Sequence, residues 1–343
     1  MKLTPRENMK RCLDFETPER IPRDLWLLPW ATNHYPDEVA RIQERFPPDI
    51  GKPPEFGYRP SSVKRGDPYN VGRAVDDWGC VFVNIQEGVH GEVQDPILPD
   101  LNDLSPLRPP YETLPSDVRA ARDTVNRYCA DTDLFVLANA CPRPWERYQF
   151  LRGTGNAMMD MAVPDEPQVQ AVMKAIQDYY LKELEFWVST DIDAIMFMDD
   201  WGSQRNLLIS PQTWKTVFKP LYKEYCDLAH SRDKYSFMHS DGHILDIYRD
   251  LAEVGVDAIN SQLFCMDLAR VAEQAKGRIT FWGEIDRQNV VPSKDPEVGR
   301  AAVRDVAKHL YDPRGGVIAQ LEFGPGGNPA TIMAVYEEWE KVR

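Results

Sequence analysis

No stretch of this sequence approaches the roughly 20 consecutive apolar residues that a membrane-spanning helix needs. Its opening, MKLTPRENMKRCLDF, is charged where a secretory leader carries an apolar centre. Basic residues are outnumbered: 40 Lys and Arg face 54 Asp and Glu, a formal net charge of −14. That balance repels a phosphate backbone and argues against a nucleic-acid binder. It also works against long-range attraction of a polyanionic substrate. Cysteines are scattered, at positions 12, 80, 129, 141, 226 and 265, with no C-x-x-C pair. Free thiols in a reducing compartment suit this pattern better than a disulfide framework, so the expected location is cytoplasmic. No G-x-G-x-x-G follows the early strand, which disfavours a dinucleotide-binding sheet. The Gly324-Pro325-Gly326-Gly327 turn is a poor phosphate loop.

What is present is an ordinary soluble composition, 43% hydrophobic and 27% charged, read as a single domain over 1–343. Thr4, Pro5 and Glu7 form a helix-start signal for residues 4–15, and Arg20–Leu28 reads as a first strand. Residues 29–114 are rich in proline and aromatics and read as an insertion over one face, with an antiparallel ribbon at 78–84 and 91–93. Beyond 116, strand patterns at 134–139, 194–198, 235–238, 256–260, 278–282 and 316–320 alternate with helical ones. The helical patterns fall at 118–129, 167–188, 211–230, 244–254, 266–275, 296–311 and 329–342. Such alternation predicts a parallel sheet. Seven strands are readable. The eighth that a (β/α)8 barrel requires is sought at 148–152 or in a short, distorted segment. An open doubly wound sheet is the alternative.

The stretch Lys234–Asp246, KYSFMHSDGHILD, passes from an apolar strand to His239, Ser240, Asp241, Gly242 and His243, then into a helical pattern. His239 and Asp241 are two apart, so an extended strand end presents both on one side. Parallel α/β folds keep their chemistry at such carboxyl ends. The other predicted ends supply Asn139 and Cys141, Asp199 and Asp200, Gln262 and Cys265, Glu284 and Asp286, and Gln320 and Glu322. Carboxylates converging on one mouth repel unless protons or a cation balance them. His239, Asp241, Glu322 and, as a fourth, Glu284 offer nitrogen and hard oxygen to a divalent metal. The competing reading is a carboxylate–arginine network with Arg205, Arg287 or Arg152 as counter-ions. Of the aromatics near these ends, Trp26, Trp30, Trp201 and Trp282 are candidates to wall a pocket for an aromatic or methylated ligand. Arg205 and Gln262 are candidates to bind the substrate's polar groups.

Met198-Asp199-Asp200-Trp201-Gly202-Ser203, with Ile209-Ser210-Pro211, Phe218-Lys219-Pro220 and Tyr222, resembles a strand-loop-helix of the uroporphyrinogen decarboxylase superfamily. His239-Ser240-Asp241-Gly242 and Gly283-Glu284-Ile285-Asp286 follow in that family's order and spacing, and Pro18-Glu19-Arg20-Ile21-Pro22 is similar too. The resemblance covers nearly the whole chain and implies a distorted (β/α)8 TIM barrel with its site at the strand carboxyl ends. The decarboxylases of that superfamily grip a polycarboxylate tetrapyrrole with arginines in W-x-M-R-Q-A-G-R-Y-x-P. Laid on Trp26–Pro36, that pattern meets Pro29 and Asn33 where the arginines belong. The bidentate clamps are missing, so a true uroporphyrinogen decarboxylase is not expected.

The other branch of the superfamily, cobalamin-dependent methyltransferases, looks like H-x-C plus a distant cysteine holding zinc. Here His239 stands at the histidine, Asp241 replaces the first cysteine and Glu322 falls near the second. A His/Asp/Glu set suits zinc or another divalent ion acting as a Lewis acid on the oxygen of a small methylated donor. The corrinoid-holding D-x-H-x-x-G pattern is not completed after Asp241-Gly242-His243, because position 246 is Asp. A separate partner protein is therefore expected to supply the corrinoid. Asp199, Asp200 and His239 are the expected acid/base or positioning residues. The expectation is a corrinoid-linked methyltransferase of O-demethylase type. The alternatives are a metal-free decarboxylase or lyase and a non-catalytic binding barrel, and homodimerisation is left open.

Overall fold

A computed structural model describes residues 2–53 and 57–342. Strand β1 (Arg23–Leu27) opens the sheet, and β2 (Ile50–Gly51) follows two short helices, Pro29–His34 and Pro36–Arg45. The insertion then forms the antiparallel ribbon β3 (Gly72–Val75), β4 (Val81–Asn84) and β5 (Glu92–Asp95). The remaining strands are β6 (Phe135–Val136), β7 (Ala194–Met198), β8 (Tyr235–Ser240), β9 (Ala258–Ser261), β10 (Thr280–Trp282) and β11 (Val317–Phe323).

Six strands make one curled parallel sheet in the order β1-β11-β10-β9-β8-β7. The short parallel pair β2–β6 lies between its two edges. Its Asp49 N–H donates to Arg23 O (2.8 Å) beside β1, and Ala138 N–H donates to Ala194 O (2.9 Å) beside β7. Residues 148–152, one place where an eighth strand is expected, belong instead to the helix Pro144–Arg152, and a two-residue strand, Ile50–Gly51, lies inside the proline-rich segment.

The helices begin where side-chain chemistry dictates. Thr4 and Glu7 close the expected capping box. Ser210, Asp295 and Asn328 each accept a first-turn N–H, and each precedes a proline whose missing N–H costs the helix nothing. Side-chain parity divides the core into two layers. Ala194, Met196, Phe237, Ala258, Trp282 and Ile318 point inside the curled sheet, while Ile195, Phe197, Met238, Ile259, Phe281 and Leu321 pack outward under the helices. Continuing the inward series carries each strand from apolar interior to polar mouth: Asp200 after Met196, His239 after Phe237, Asn260 after Ala258, Gln320 and Glu322 after Ile318.

Candidate active site at the strand carboxyl ends

Register puts the key groups side by side. Met198 pairs with His239, and His239 with Asn260, so Asp200 and Asp241 leave neighbouring strand ends together. The loops bearing them touch through glycine. Gly202 N–H donates to Asp241 O (3.0 Å), and a Cβ on Gly242 would lie 2.0 Å from Gly202 O. Gly242 is also at φ +78°, where side chains are strained. The Asp241 backbone N–H donates to Asp200 Oδ1 (3.0 Å), which orients the Asp200 carboxylate.

His239 Nε2 lies 3.5 Å from Asp200 Oδ1 and 3.5 Å from Asp241 Oδ1. One donor atom from each of the three residues falls within 4.8 Å of the others. The imidazole is held from behind. Its Nδ1–H donates to Asn260 Oδ1 (2.6 Å), and Asn260 Nδ2 donates to Trp282 O (2.6 Å) and Gln320 Oε1 (2.9 Å). The amide can face only one way, so Nδ1 carries the proton and Nε2 faces the carboxylates. Trp26 packs on the ring at 5.2 Å between centroids. Burial opposes charge on His239, but Asp200 and Asp241 outweigh it and push the imidazole up to about 9. Despite burial, His239 holds Asp200 below the usual carboxylate range.

Arg287 is the second centre. Its guanidinium binds Asp241 Oδ2, approaches Glu322 Oε1 at 3.2 Å and Glu284 Oε1 at 3.5 Å. Asp241 thus gives one oxygen to arginine and leaves Oδ1 buried, with no hydrogen bond among the described residues. Both Glu284 oxygens are likewise buried without hydrogen bonds. Burial pushes Glu284 up to about 8, against the pull of Arg287. Glu322 is raised for the same reason. Glu146, reaching in from the helix after β6, is raised by burial and lies 3.8 Å from Arg143.

Several expected site residues are placed differently. Of the residues expected to hold a metal, His239 and Asp241 come together, with Asp200 beside them, while Glu322 and Glu284 lie against Arg287. Asp199 points outward and is fully buried, accepting from Trp145 N–H (3.0 Å), Glu146 N–H (2.7 Å) and Tyr222 Oη (2.5 Å). It anchors the helix layer and does not reach the cluster. Trp201 is buried beside Trp145 and donates to Tyr222 Oη (2.8 Å), so it is core rather than pocket wall. Arg205 is exposed, and Trp30 stacks on His34. Trp26 and Trp282 lie on the inner side of the sheet, Trp282 fully buried, both donating to Asp24 Oδ2, at 2.9 and 3.0 Å. Gln262 Oε1 accepts from Gly242 N–H (3.0 Å) and supports the turn. Asn260 and Asp24 were missed, though both stand on inward positions of readable strands. Glu146 has no such signal, because it arrives from a helix.

Fold and site together define an α/β protein of the parallel-sheet type, with an imidazole and several acids gathered at the strand carboxyl ends. The sequence pattern of uroporphyrinogen decarboxylase (URO-D) matches residues 76–341, and the chain belongs to that family. In fold it is similar to a methyltransferase from Methanosarcina mazei, at TM-score 0.71 and 13% identity over 99% of both chains. An endo-β-1,4-xylanase from Gloeophyllum trabeum aligns at TM-score 0.44 and 13% identity, over 98% of this chain and 99% of that one. No protein of curated function matches in sequence. Among the described residues, no helix is long and apolar enough to cross a membrane.

Proposed function

We propose that this protein is a methyltransferase that binds a divalent metal, zinc above all, at Asp200, His239 and Asp241. It would take a methyl group from a small methylated donor and pass it to a corrinoid carried by a partner protein. The observation that carries the reading is the donor cluster itself: Nε2 of a tautomer-locked histidine beside two carboxylate oxygens, one of them buried without a hydrogen bond. A histidine whose other nitrogen is held by a fixed acceptor is how metal ligands are oriented, and the mixed nitrogen and oxygen set suits zinc or another hard divalent ion. When bound there, the ion would supply Lewis acidity toward a donor oxygen.

The chain's own residues do the rest. Arg287 holds Asp241 by one oxygen and keeps the other toward His239. Glu284, neutral near pH 7 through burial, stands as a proton source beside the developing alkoxide or phenoxide. Trp26 excludes water from one face of His239. The similarity to a methyltransferase fold is consistent with this reading. The parallel arc, completed by β2 and β6, is taken as a distorted eight-stranded barrel.

The test is metal analysis of purified protein, followed by methylation of cob(I)alamin with a panel of methoxylated donors. One zinc per chain, lost in His239→Ala and Asp200→Ala together with methyl transfer, is the expected result. Full-length folded protein that takes up no metal and methylates no cobalt would remove the reading.

One observation favours a second reading. Arg287 already pairs with Asp241 and Glu322 and approaches Glu284, so a protein cation offsets part of the acidic charge at the site. In a metal-free lyase, the Asp200–His239 pair would handle the proton. Substrate-dependent CO2 release that survives chelation and fails in Asp200→Asn would select it.

A further inference from the structure

Above the cluster lies an open cavity of about 470 Å³ between the barrel mouth and the inserted ribbon. Asp241, Arg287 and Glu322 form its polar floor, and Tyr69 and His90 face it from the ribbon. Neither ribbon residue belongs to the centre already described.

His90 is held in one tautomer. Its Nδ1 lies 2.9 Å from Gly91 O, and a carbonyl only accepts, so Nδ1 carries the hydrogen. The ring is clamped edge-on by Tyr69 (5.3 Å, 85°) and Phe82 (4.9 Å, 85°). Burial, against the Gly91 hydrogen bond and with some help from the charge of Arg143, holds His90 below the ordinary imidazole range and so favours its neutral form. Nε2 is therefore an acceptor, and it has no partner among the described residues. Tyr69 Oη likewise makes no hydrogen bond there, and burial keeps the phenol protonated, a donor. Tyr69 feels the charges of both Arg143 and Glu322, which places the pair over the site.

A fixed acceptor beside a free donor, both opening on one cavity, match a group that donates and accepts at once. We infer that Tyr69 and His90 form a specificity anchor for a hydroxyl group, so that the ligand is a methyl ether that also bears a free hydroxyl. The hydroxyl gives its hydrogen to His90 Nε2 and accepts from Tyr69 Oη, while the ether oxygen lies toward Asp241 and His239. This rests on the methyl-donor reading of the same site.

The experiment measures binding of 3-methoxyphenol and methoxybenzene to the zinc-loaded full chain by calorimetry. The phenol is expected to bind about 10-fold tighter, the size of a well-made hydrogen-bond pair. Tyr69→Phe, which keeps the ring that meets His90, and His90→Phe, which keeps a ring between Tyr69 and Phe82, are each expected to bring the ratio to within about 2-fold. His90→Gln, whose amide oxygen still accepts, is expected to recover part of the preference, with zinc content unchanged in all three variants. Equal binding by the unaltered protein, no binding of either compound at millimolar concentration, or a preference that survives both phenylalanine variants would each overturn the inference. Hydroxyl preference that vanishes in the variants, in a protein that methylates no cobalt, keeps the anchor and overturns the methyltransferase reading instead.

Discussion

At the scale of single residues, the site is made by a histidine that cannot choose its tautomer. Gln320 fixes the amide of Asn260, Asn260 takes the Nδ1 hydrogen of His239, and Nε2 is left for the carboxylates. Replacing Asn260 with Ala would leave the ring free to rotate, and zinc affinity is expected to fall about 10- to 100-fold while the fold persists. Competition titration against a chromogenic chelator measures this. Protonation follows from the same contacts. In the metal-free protein His239 titrates near 9 because Asp200 and Asp241 hold its proton. A metal has to displace that proton, so affinity is expected to rise with pH through neutrality and level off above about 9. Proton release in unbuffered calorimetry near pH 7 tests the sign. Zinc binding that is flat between pH 6 and about 9 would show that the imidazole is not a ligand. The adjacent acids Asp199 and Asp200 illustrate what was legible. Residue type marks both, and only strand parity separates them, since Met196 and Asp200 share the inward face and Phe197 and Asp199 the outward one.

At the scale of elements, the cluster depends on two loops being pressed together. Gly202 and Gly242 allow the turns after β7 and β8 to meet backbone to backbone. A Cβ on Gly202 would lie 2.1 Å from His243 N and 2.4 Å from Gly242 C, neither of which can rotate away. Gly202→Ala is therefore expected to part the loops, abolish zinc binding and lower stability by about 2 kcal/mol. Urea unfolding followed by circular dichroism would show it. Unchanged midpoint and metal content would mean the loops tolerate separation. Helix starts were the most legible elements, because a capping side chain followed by proline acts locally. The helix Pro144–Arg152 was not, since its YQFLR end carries strand-prone residues and its burial is decided by tertiary packing.

At the scale of the whole molecule, the insertion acts as a wall rather than a separate body. Arg147, from the helix after β6, reaches Asp76 at 2.5 Å and lies over Trp78 at 5.0 Å from the ring centroid. Asp76 also caps the turn before β4 through Trp78 N–H (3.0 Å) and Cys80 N–H (2.8 Å). Removing one partner of such a largely buried pair leaves the other charge uncompensated. Arg147→Ala is expected to cost about 3 kcal/mol. It should also expose residues 57–114 to limited proteolysis before the sheet unfolds. A protease map that matches the unaltered protein would contradict this docking. The same wall carries Tyr69 and His90 over the mouth.

The sequence by itself determined the alternation of strand and helix, most helix starts, two of the ribbon's three strands and the polar strand ends. These features are set by local periodicity, capping and residue type, which act over a few residues. Only the tertiary structure decided which acids face one another. Asp200 and Asp241 lie 41 positions apart, and Glu284 and Glu322 are drawn to Arg287 instead of His239. Strand register and the curl of the sheet determine those distances. The pull between charges depends on separation in space, and the order of residues along the chain does not contain it.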